Sequence, residues 1–279
     1  MILVDLNQVL LAGLMAQIAN QKGKLDEHLI RHMVLNIIRT HVKNFKAEYG
    51  EVVLCCDNRK YWRKEYFPFY KANRKKTRDK SDLDWHLIFD MLSKFKQELK
   101  DNFPYKVLDV EGAEADDIIG TLVPRQSAHE KILILSSDGD FLQLQNYPNV
   151  KQYNPSQKKF VKSENPILEL KEKIIRGDKG DGIPNMFSPA DCFVRDLRQK
   201  PITQKVIEKY LKESVDEWNE TDKTNYSRNS TLIDLSFIPQ EIKEKIINTY
   251  EETKPAKGKL LNYFIEHKLK NLMEVIEEF

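Results

Sequence analysis

Three short apolar runs in the sequence each lead to an aspartate. The runs are residues 1–5, 52–57 and 132–138, and the aspartates are Asp5, Asp57 and Asp138. Runs that are apolar throughout are typical of strands buried in a parallel sheet. The carboxyl ends of parallel strands lie at one edge of the sheet, where ligands collect. We therefore expect these carboxylates to share one edge, with Asp140 beside them because Gly139 allows a sharp bend.

Further carboxylates stand close together in the sequence. Five of them lie in a stretch without a basic residue between Val107 and Pro124, namely Asp109, Glu111, Glu114, Asp116 and Asp117. A later pair is Asp178 and Asp181. Taken singly, such a residue often caps a helix or shapes a turn. Several of them on one edge repel each other by roughly 1 kcal/mol per close pair, even in water. A divalent cation removes this repulsion, and a site built from oxygen ligands favours Mg²⁺ or Mn²⁺.

Two such ions about 3.5–4 Å apart can activate a water molecule and stabilise the leaving oxygen of a phosphodiester. The segment from Asn58 to Lys80 supplies what a nucleic-acid substrate needs. It holds ten basic residues against two acidic ones, so it carries +8 while the rest of the chain sums to −6. Six aromatic residues lie among these charges, and this combination is typical of single-stranded nucleic-acid binding. The alternative is a solvated basic helix whose rings pack on the domain below.

Helical patterns separate the strand-like runs. Apolar residues recur at helical spacing from Leu29 to Val42 and from Leu87 to Leu99. A further strand at 105–110 precedes a helix from about 114 to 122. This alternation predicts an α/β fold, in which a central, mostly parallel sheet is flanked by helices. We assign it to residues 1–155.

Residues 156–279 have a different pattern, and we expect a mainly helical C-terminal region. Helices are predicted near 167–176, 202–212, 240–249 and 259–279. The polar stretch 213–230 predicts a loop.

Composition excludes several classes of protein. The 41% apolar content is enough for a core, and the longest apolar stretch, Val9 to Ala19, is too short to span a bilayer and lacks the basic lead-in of a signal peptide. Three cysteines without CxxC spacing argue against a disulfide framework or a zinc site. We expect a cytoplasmic monomer that does not bind membranes.

The short motifs, taken together, resemble the 5′-nuclease (flap endonuclease) superfamily, and most closely its RNase H branch from tailed bacteriophages, a 5′ to 3′ exonuclease. The motifs that carry the resemblance are Ile2-Leu-Val-Asp-Leu-Asn7, Val53-Leu-Cys-Cys-Asp-Asn58, Tyr61-Trp-Arg-Lys64, Tyr70-Lys-Ala-Asn-Arg74, Glu114-Ala-Asp-Asp117, Ser136-Ser-Asp-Gly-Asp-Phe141 and Arg176-Gly-Asp-Lys-Gly-Asp181. The resemblance implies a basic helical arch at about 58–80 and a DNA-binding C-terminal region.

The resemblance also implies residue roles. The carboxylates of a two-Mg²⁺ centre, in which Mn²⁺ can substitute, would be Asp5, Asp57, Glu114, Asp116, Asp138, Asp140 and Asp181, with Asp117 and Asp178 in an outer shell. Catalysis would rest on Lys71, Arg74, Asp116 and Asp138. Nucleic acid would be bound by Arg63, Lys64, Tyr70, Lys71, Arg74, Lys75, Lys76 and Lys179. Tyr70 could stack on a terminal base or serve as a packing residue.

One segment departs from the family pattern. Most of the superfamily continues after Asp181 into a Gly-rich hairpin that binds duplex phosphates, often through a potassium ion. Here the second half of that hairpin is missing. Duplex contact would instead rest on Lys179, Arg195 and Arg198.

The resulting prediction is a metal-dependent 5′ nuclease that removes RNA primers and short adjacent DNA during replication. Its partners would be RNA–DNA hybrids, flapped or nicked duplex DNA, a single-stranded-DNA-binding protein and, as a further candidate, a sliding clamp. The alternative is a non-catalytic binder of branched or single-stranded DNA with a structural metal. A Mg²⁺-dependent phosphatase is weaker, because such an enzyme needs a second acid two residues after its nucleophile and Asp5 is followed by Leu6-Asn7.

Overall fold

A computed structural model describes residues 1–18, 26–79 and 83–279, with the backbone alone for 16–18 and 75–77. Within these residues, six strands form one sheet in the order β3-β2-β1-β4-β5-β6, and all neighbours are parallel except β5 and β6. The strands are β1 (Ile2–Asp5), β2 (Val52–Cys56), β3 (Lys106–Asp109), β4 (Ile132–Leu135), β5 (Val150–Asn154) and β6 (Lys159–Val161).

Helices cover both faces of the sheet. The α-helices are α1 (Leu6–Ile18), α2 (Glu27–Tyr49), α3 (Trp62–Tyr66), α4 (Asn73–Arg78), α5 (Trp85–Asn102), α6 (Ala115–Gln126), α7 (Pro166–Arg176), α8 (Gln204–Lys212), α9 (Glu220–Ile233), α10 (Gln240–Glu252), α11 (Leu260–Glu266) and α12 (Lys270–Met273). Within the described residues, four 3₁₀ helices span Gly139–Asn146, Val215–Glu217, Leu235–Phe237 and Ile276–Glu278. None of the helices described is both long and apolar enough to cross a membrane.

The strands divide their side chains between two apolar cores. Along β1, the side chains of Ile2 and Val4 pack in the core on one face of the sheet and that of Leu3 packs in the core on the other face, as the two-residue period of a strand requires. The first core lies against α1, α2 and α5, and the second lies against α6 and α10. Both faces are covered, and this is why the strands are apolar throughout rather than alternating.

The predicted α/β fold is confirmed, with a mostly parallel sheet flanked by helices. The runs that end at Asp5, Asp57 and Asp138 form the parallel strands β1, β2 and β4. Strands β5 and β6 were not predicted, because their short sequences are rich in polar residues, and in β5 two of these, Gln152 and Asn154, are buried. The division at residue 155 stays a prediction. Residues 260–279 pack back on the first core through Phe264 and Phe279.

The predicted loop at 213–230 is wrong, since most of it is helical. Helix α9 begins after Asn219, whose side chain accepts a hydrogen bond from the Asp222 amide at 3.0 Å. The buried Asn229 side chain donates to the carbonyls of Ile174 and Pro184 at 2.8 and 2.9 Å. This helix buries polar groups that are satisfied by a neighbouring segment, and a search for apolar periodicity cannot detect such packing.

The predicted helix at 259–279 is interrupted rather than continuous. Lys268 adopts a φ of 54°, which ends α11, and the Leu269 amide donates back to the Phe264 carbonyl at 2.9 Å. Such a left-handed residue after a helix is a common stop. The break lets Leu272 and Phe279 reach the same core as Phe264.

Candidate active site

A cavity of about 650 Å³ opens where the strands β1 and β4 meet, the point at which the strand order reverses. Four of the predicted carboxylates line it: Asp5, Asp57, Asp116 and Asp138. The first ends β1, the second follows β2, the third lies in the first turn of α6 and the fourth follows β4. The shared edge inferred from the sequence is therefore present in the structure.

Hydrogen bonds hold these carboxylates in place. Asp5 is buried, and its Oδ2 accepts from the Ser136 hydroxyl at 2.9 Å. Asp57 Oδ1 accepts from the Ala115 amide at 2.9 Å, and its Oδ2 accepts from the Asn7 side chain at 3.2 Å. The first bond satisfies an amide at the start of α6, so Asp57 ties β2 to that helix.

The four carboxylates of the cavity lie close enough to repel each other, and this repulsion raises pKa values. The pKa of Asp5 is raised to about 7, first by burial and then by the charges of Asp57 and Asp138. Burial also raises the pKa of Asp116 well above its usual value, and the charge of Asp138 adds to the effect. A cation bound among such carboxylates would offset their mutual repulsion and stabilise their ionised form.

Lys71 also lines the cavity and brings positive charge to it. Its Nζ lies 2.6 Å from Glu114 Oε1 and 3.7 Å from Asp181 Oδ2. Burial alone would lower the pKa of Lys71, but Asp181 and Glu114 raise it above its ordinary value. The ammonium is therefore charged at neutral pH.

A loop after α7 holds the segment that carries Lys71. The Lys71 amide donates to the Asp181 carbonyl at 2.7 Å, and the Asn73 side chain donates to the Lys179 carbonyl at 2.9 Å. Arg74 also lines the cavity and pairs with the Asp181 carboxylate. Burial raises the pKa of Asp181, but Lys71 and Arg74 outweigh it, so the net pKa is lowered. We call residues 177–182 the bracing loop.

The predicted ligand Asp140 and the predicted outer-shell residue Asp178 both lie next to a different cation, Lys173. Lys173 of α7 pairs with Asp140 and lies 3.0 Å from Asp178. Asp140 and Lys173 line a separate small pocket of about 220 Å³. Sequence reasoning missed Lys173, although its place in the last turn of α7, just before Gly177-Asp178, was a usable signal.

Two residues predicted to contact nucleic acid are buried instead. Arg63 is 2% exposed and pairs with Glu114 and Asp117 at 3.2 and 2.7 Å. Tyr70 is equally buried, and its hydroxyl donates to Glu114 at 3.2 Å. Burial is incompatible with direct contact, so these predictions are corrected: Arg63 and Tyr70 position the carboxylates. Asp117, which also accepts from the Trp62 indole at 3.1 Å, is fully buried and does not line the cavity, and its outer-shell role stays a prediction.

Other predicted contacts are on the surface. Lys64, Lys179, Arg195 and Arg198 are exposed. The side chains of Lys75 and Lys76 lie outside the described residues. The roles of all these residues stay predictions.

In the described part of the chain, no three His, Cys, Asp or Glu side chains are already arranged at the spacing of a metal site. The seven ligands inferred from the resemblance therefore stay a prediction. The structure brings four of them into one cavity, leaves Glu114 and Asp181 paired with Lys71 beside it, and places Asp140 with Lys173.

Comparison with known proteins agrees with this architecture. Residues 1–174 match the family described as 5'-3' exonuclease, N-terminal resolvase-like domain, and residues 164–279 match the family described as T4 RNase H, C terminal. The chain is 37% identical to Ribonuclease H of Enterobacteria phage T4 over 99% of this chain and 95% of that protein.

Solved structures share the fold at low identity. One is described as T5 D15 Protein Co-crystallized with Metal Ions, with a TM-score of 0.61 and 18% identity over 90% of this chain and 98% of that one. Another is a variant of the T5 D15 flap endonuclease, described as a pseudo-enzyme-product complex with DNA and metal ions, with a TM-score of 0.60 and 16% identity over 90% of this chain and 99% of that one. With the family match over most of the chain, the carboxylate cavity belongs to a nuclease: the chain is a member of the 5′-3′ exonuclease family, a metal-dependent 5′ nuclease of the phage RNase H type.

Proposed function

We propose that this nuclease hydrolyses phosphodiesters at 5′ ends and flaps, and that it removes RNA primers and short adjacent DNA during replication. The observation that carries the proposal is the cavity in which four carboxylates and Lys71 stand together at the end of the sheet. The relatives named Ribonuclease H and Flap endonuclease Xni support the substrate class.

The donor set fits magnesium. The carboxylates of the cavity are hard oxygen ligands. Burial raises the pKa values of Asp5 and Asp116, and the charges of neighbouring carboxylates add to the effect, so a cation bound among them would relieve this repulsion. We propose that Asp5, Asp57, Asp116 and Asp138 hold Mg²⁺, or Mn²⁺ in its place, with Glu114, Asp140 and Asp181 as further ligands to one of two ions. Bound there, the metal supplies an activated water and charge stabilisation for the leaving oxygen.

The cationic side chains supply the complementary chemistry. Lys71 is held beside the carboxylates by Glu114, so its ammonium is positioned before substrate arrives. Together with Arg74, which is half exposed, it orients the scissile phosphate and stabilises negative charge as it develops. The exposed Lys64 and Lys179 bind backbone phosphates further away.

The competing functions have less support. A non-catalytic binder would not explain why the chain matches a nuclease family over most of its length. We further propose that the protein acts in the cytoplasm of the infected cell, as a monomer, with a single-stranded-DNA-binding protein and a sliding clamp as partners.

The test is cleavage of a 5′-labelled RNA·DNA hybrid and of a flapped duplex, each with Mg²⁺ and with EDTA. Short 5′ products that form only with Mg²⁺ are the expected result. Tight binding without any product in Mg²⁺ or Mn²⁺ would contradict the proposal and favour the non-catalytic binder.

A further inference from the structure

One part of the active-site cavity is aromatic rather than charged. Trp85 and Phe89, at the start of α5, line it together with Arg78 and the four carboxylates. The centroids of the two rings are 5.7 Å apart and their planes differ by 31°. The Arg78 guanidinium lies 5.5 Å from the centre of the Phe89 ring.

The position of these rings is not explained by core packing. Helix α5 buries Ile88, Phe95 and Leu99, whereas Phe89 remains 41% exposed. Neither Trp85 nor Phe89 belongs to the apolar core clusters of the described residues. Their spacing of four residues places both rings on one side of the helix, so the helix presents an aromatic surface to the cavity.

The cavity combines three kinds of group that can each bind a different part of a nucleic-acid strand. Carboxylates can hold a metal at a phosphate, a guanidinium binds a phosphate as a fork, and a ring offers a face for a base. A strand whose phosphate lies among the carboxylates brings its neighbouring bases to the rings, because all of these groups line the same cavity.

We propose that Trp85 and Phe89 form a stacking platform for unpaired bases of the 5′ strand, with Arg78 binding the adjacent phosphate. This inference rests on the proposed function and adds a source of specificity to it. A base inside a duplex has both faces covered by its neighbours, so only a frayed or single-stranded 5′ segment can use the platform. The two rings are substrate-binding residues that favour unpaired 5′ ends.

Tryptophan fluorescence tests the platform without any cleavage. The chain has three tryptophans, and Trp62 and Trp218 are buried whereas Trp85 is partly exposed to the cavity. In EDTA, a single-stranded oligothymidylate should quench the emission. An abasic oligonucleotide of the same length should not, and Trp85→Phe should remove the signal. Equal quenching by the two oligonucleotides would overturn the proposal.

Cleavage kinetics in Mg²⁺ form the second arm. Phe89→Leu keeps apolar volume but removes the ring face, and it should raise KM for a flapped duplex roughly tenfold with little change in kcat. It should also stop distinguishing a normal flap from one with abasic 5′ nucleotides, while Phe89→Tyr should behave as the wild type. Phe237→Leu is the matched control, since Phe237 is 51% exposed and does not line this cavity.

The outcomes separate the two hypotheses. If the wild-type protein never cleaves, the proposed function is contradicted. The fluorescence experiment, which needs no cleavage, then still tests whether Trp85 and Phe89 bind bases. A wild-type protein that cleaves, with Phe89→Leu retaining both its KM and its preference for intact bases, contradicts the platform alone.

Discussion

Individual carboxylates at the end of the sheet serve two purposes at once. Asp57 accepts the amide that begins α6, and Asp138 accepts the Asp140 amide at 2.9 Å as the cap of a 3₁₀ helix. Each carboxylate oxygen has two acceptor sites, so a hydrogen bond to an amide leaves lone pairs for a cation. A capping role and a ligand role are therefore compatible in one residue, and a cap does not exclude a catalytic function.

Asp138→Asn tests the carboxylate centre. The amide oxygen can still cap the 3₁₀ helix, so the fold should persist while a charged ligand is lost. We expect turnover to fall by about 10³-fold or more and substrate affinity to remain near that of the wild type. Single-turnover cleavage and equilibrium binding of a flapped duplex measure both. Normal cleavage by this variant would remove Asp138 from the centre.

Lys71→Ala tests the role of the positioned ammonium. If Lys71 stabilises charge that develops during hydrolysis, kcat should fall by roughly 10²-fold or more, with a much smaller change in affinity. Lys245→Ala is the control, because Lys245 is exposed on α10 and lies outside the cavity. A loss of affinity equal to the loss of turnover would show that Lys71 only binds substrate.

At the level of elements, the bracing loop positions the segment that carries Lys71. Gly182 adopts a φ of 72°, and a Cβ there would lie 2.9 Å from the Phe69 carbonyl oxygen and 3.4 Å from the Lys71 amide nitrogen. The loop therefore packs directly on the backbone of residues 69–71. Lys71 itself adopts a φ of 57°, which persists because the loop accepts its amide hydrogen bond.

Gly182→Ala should move Lys71 without removing any charged group. The added methyl group strains the left-handed backbone and pushes on the Phe69 carbonyl. We expect kcat to fall about tenfold or more, together with about 1 kcal/mol of stability. Gly258→Ala provides the control, because Gly258 has a similar φ of 70° and no atom of the described residues lies within 4 Å of the added Cβ. Equal kcat in the two variants would contradict a positioning role for the loop.

An ion pair with a buried arginine joins three helices, and its residues do not line the cavity. Arg31 of α2 donates to Glu98 of α5 at 2.8 and 3.1 Å, and the Tyr263 hydroxyl of α11 donates to the same carboxylate. Burial raises the pKa of Glu98, but the bonds from Arg31 and Tyr263 outweigh it and lower the pKa below its usual 4.5. The charged form is therefore stabilised by folding, and this contribution is lost as the pH falls through the lowered pKa.

Glu98→Gln should destabilise the protein by about 2 kcal/mol near pH 7. The deficit should shrink as the pH falls from 7 through the lowered pKa of Glu98, because Glu98 itself then becomes neutral. Urea unfolding of both proteins across this range measures the effect. Glu266→Gln, an exposed position on α11, is the control and should change stability by less than about 0.5 kcal/mol at either pH. A deficit that does not depend on pH would show that the charge of Glu98 is unimportant.

At the scale of the whole molecule, basic and acidic residues are concentrated in different segments of the sequence. The fold places part of the basic segment beside the carboxylates at the end of the sheet. The segment 58–80 carries +8 within a chain of net charge +2, and its residues Lys71, Arg74 and Arg78 line the carboxylate cavity. Cations in that segment attract the phosphate backbone that the carboxylates would repel. Because the carboxylates also repel each other, a divalent cation should favour the folded state.

Millimolar Mg²⁺ should therefore raise the thermal midpoint of the wild-type protein by a few degrees, and EDTA should reverse the change. The rise should be much smaller in Asp138→Asn, which loses one of the charges around the cation. Differential scanning calorimetry at constant ionic strength measures both. An equal rise in the two proteins would place the stabilising ion elsewhere in the molecule.

The sequence by itself determined strands β1 to β4 of the sheet and the place of the acidic edge. Strand runs and the aspartates that end them are properties of consecutive residues, and parallel strands align their carboxyl ends whatever else the chain does. The basic segment after Asp57 was equally readable. The motifs also identified the family, because seven of them occur in the right order along the chain.

Only the tertiary structure decided which charges neutralise each other and which side chains reach the cavity. Arg74 and Asp181 are 107 residues apart in sequence and Arg63 lies 169 residues from its partner Leu232, so no local spacing predicts these contacts. The packing of α7, α9 and the bracing loop buried Arg63, paired Lys173 with Asp140 and left Phe89 exposed to the cavity. Such pairings depend on how the elements pack in three dimensions, whereas strand ends depend only on the order of residues along the chain.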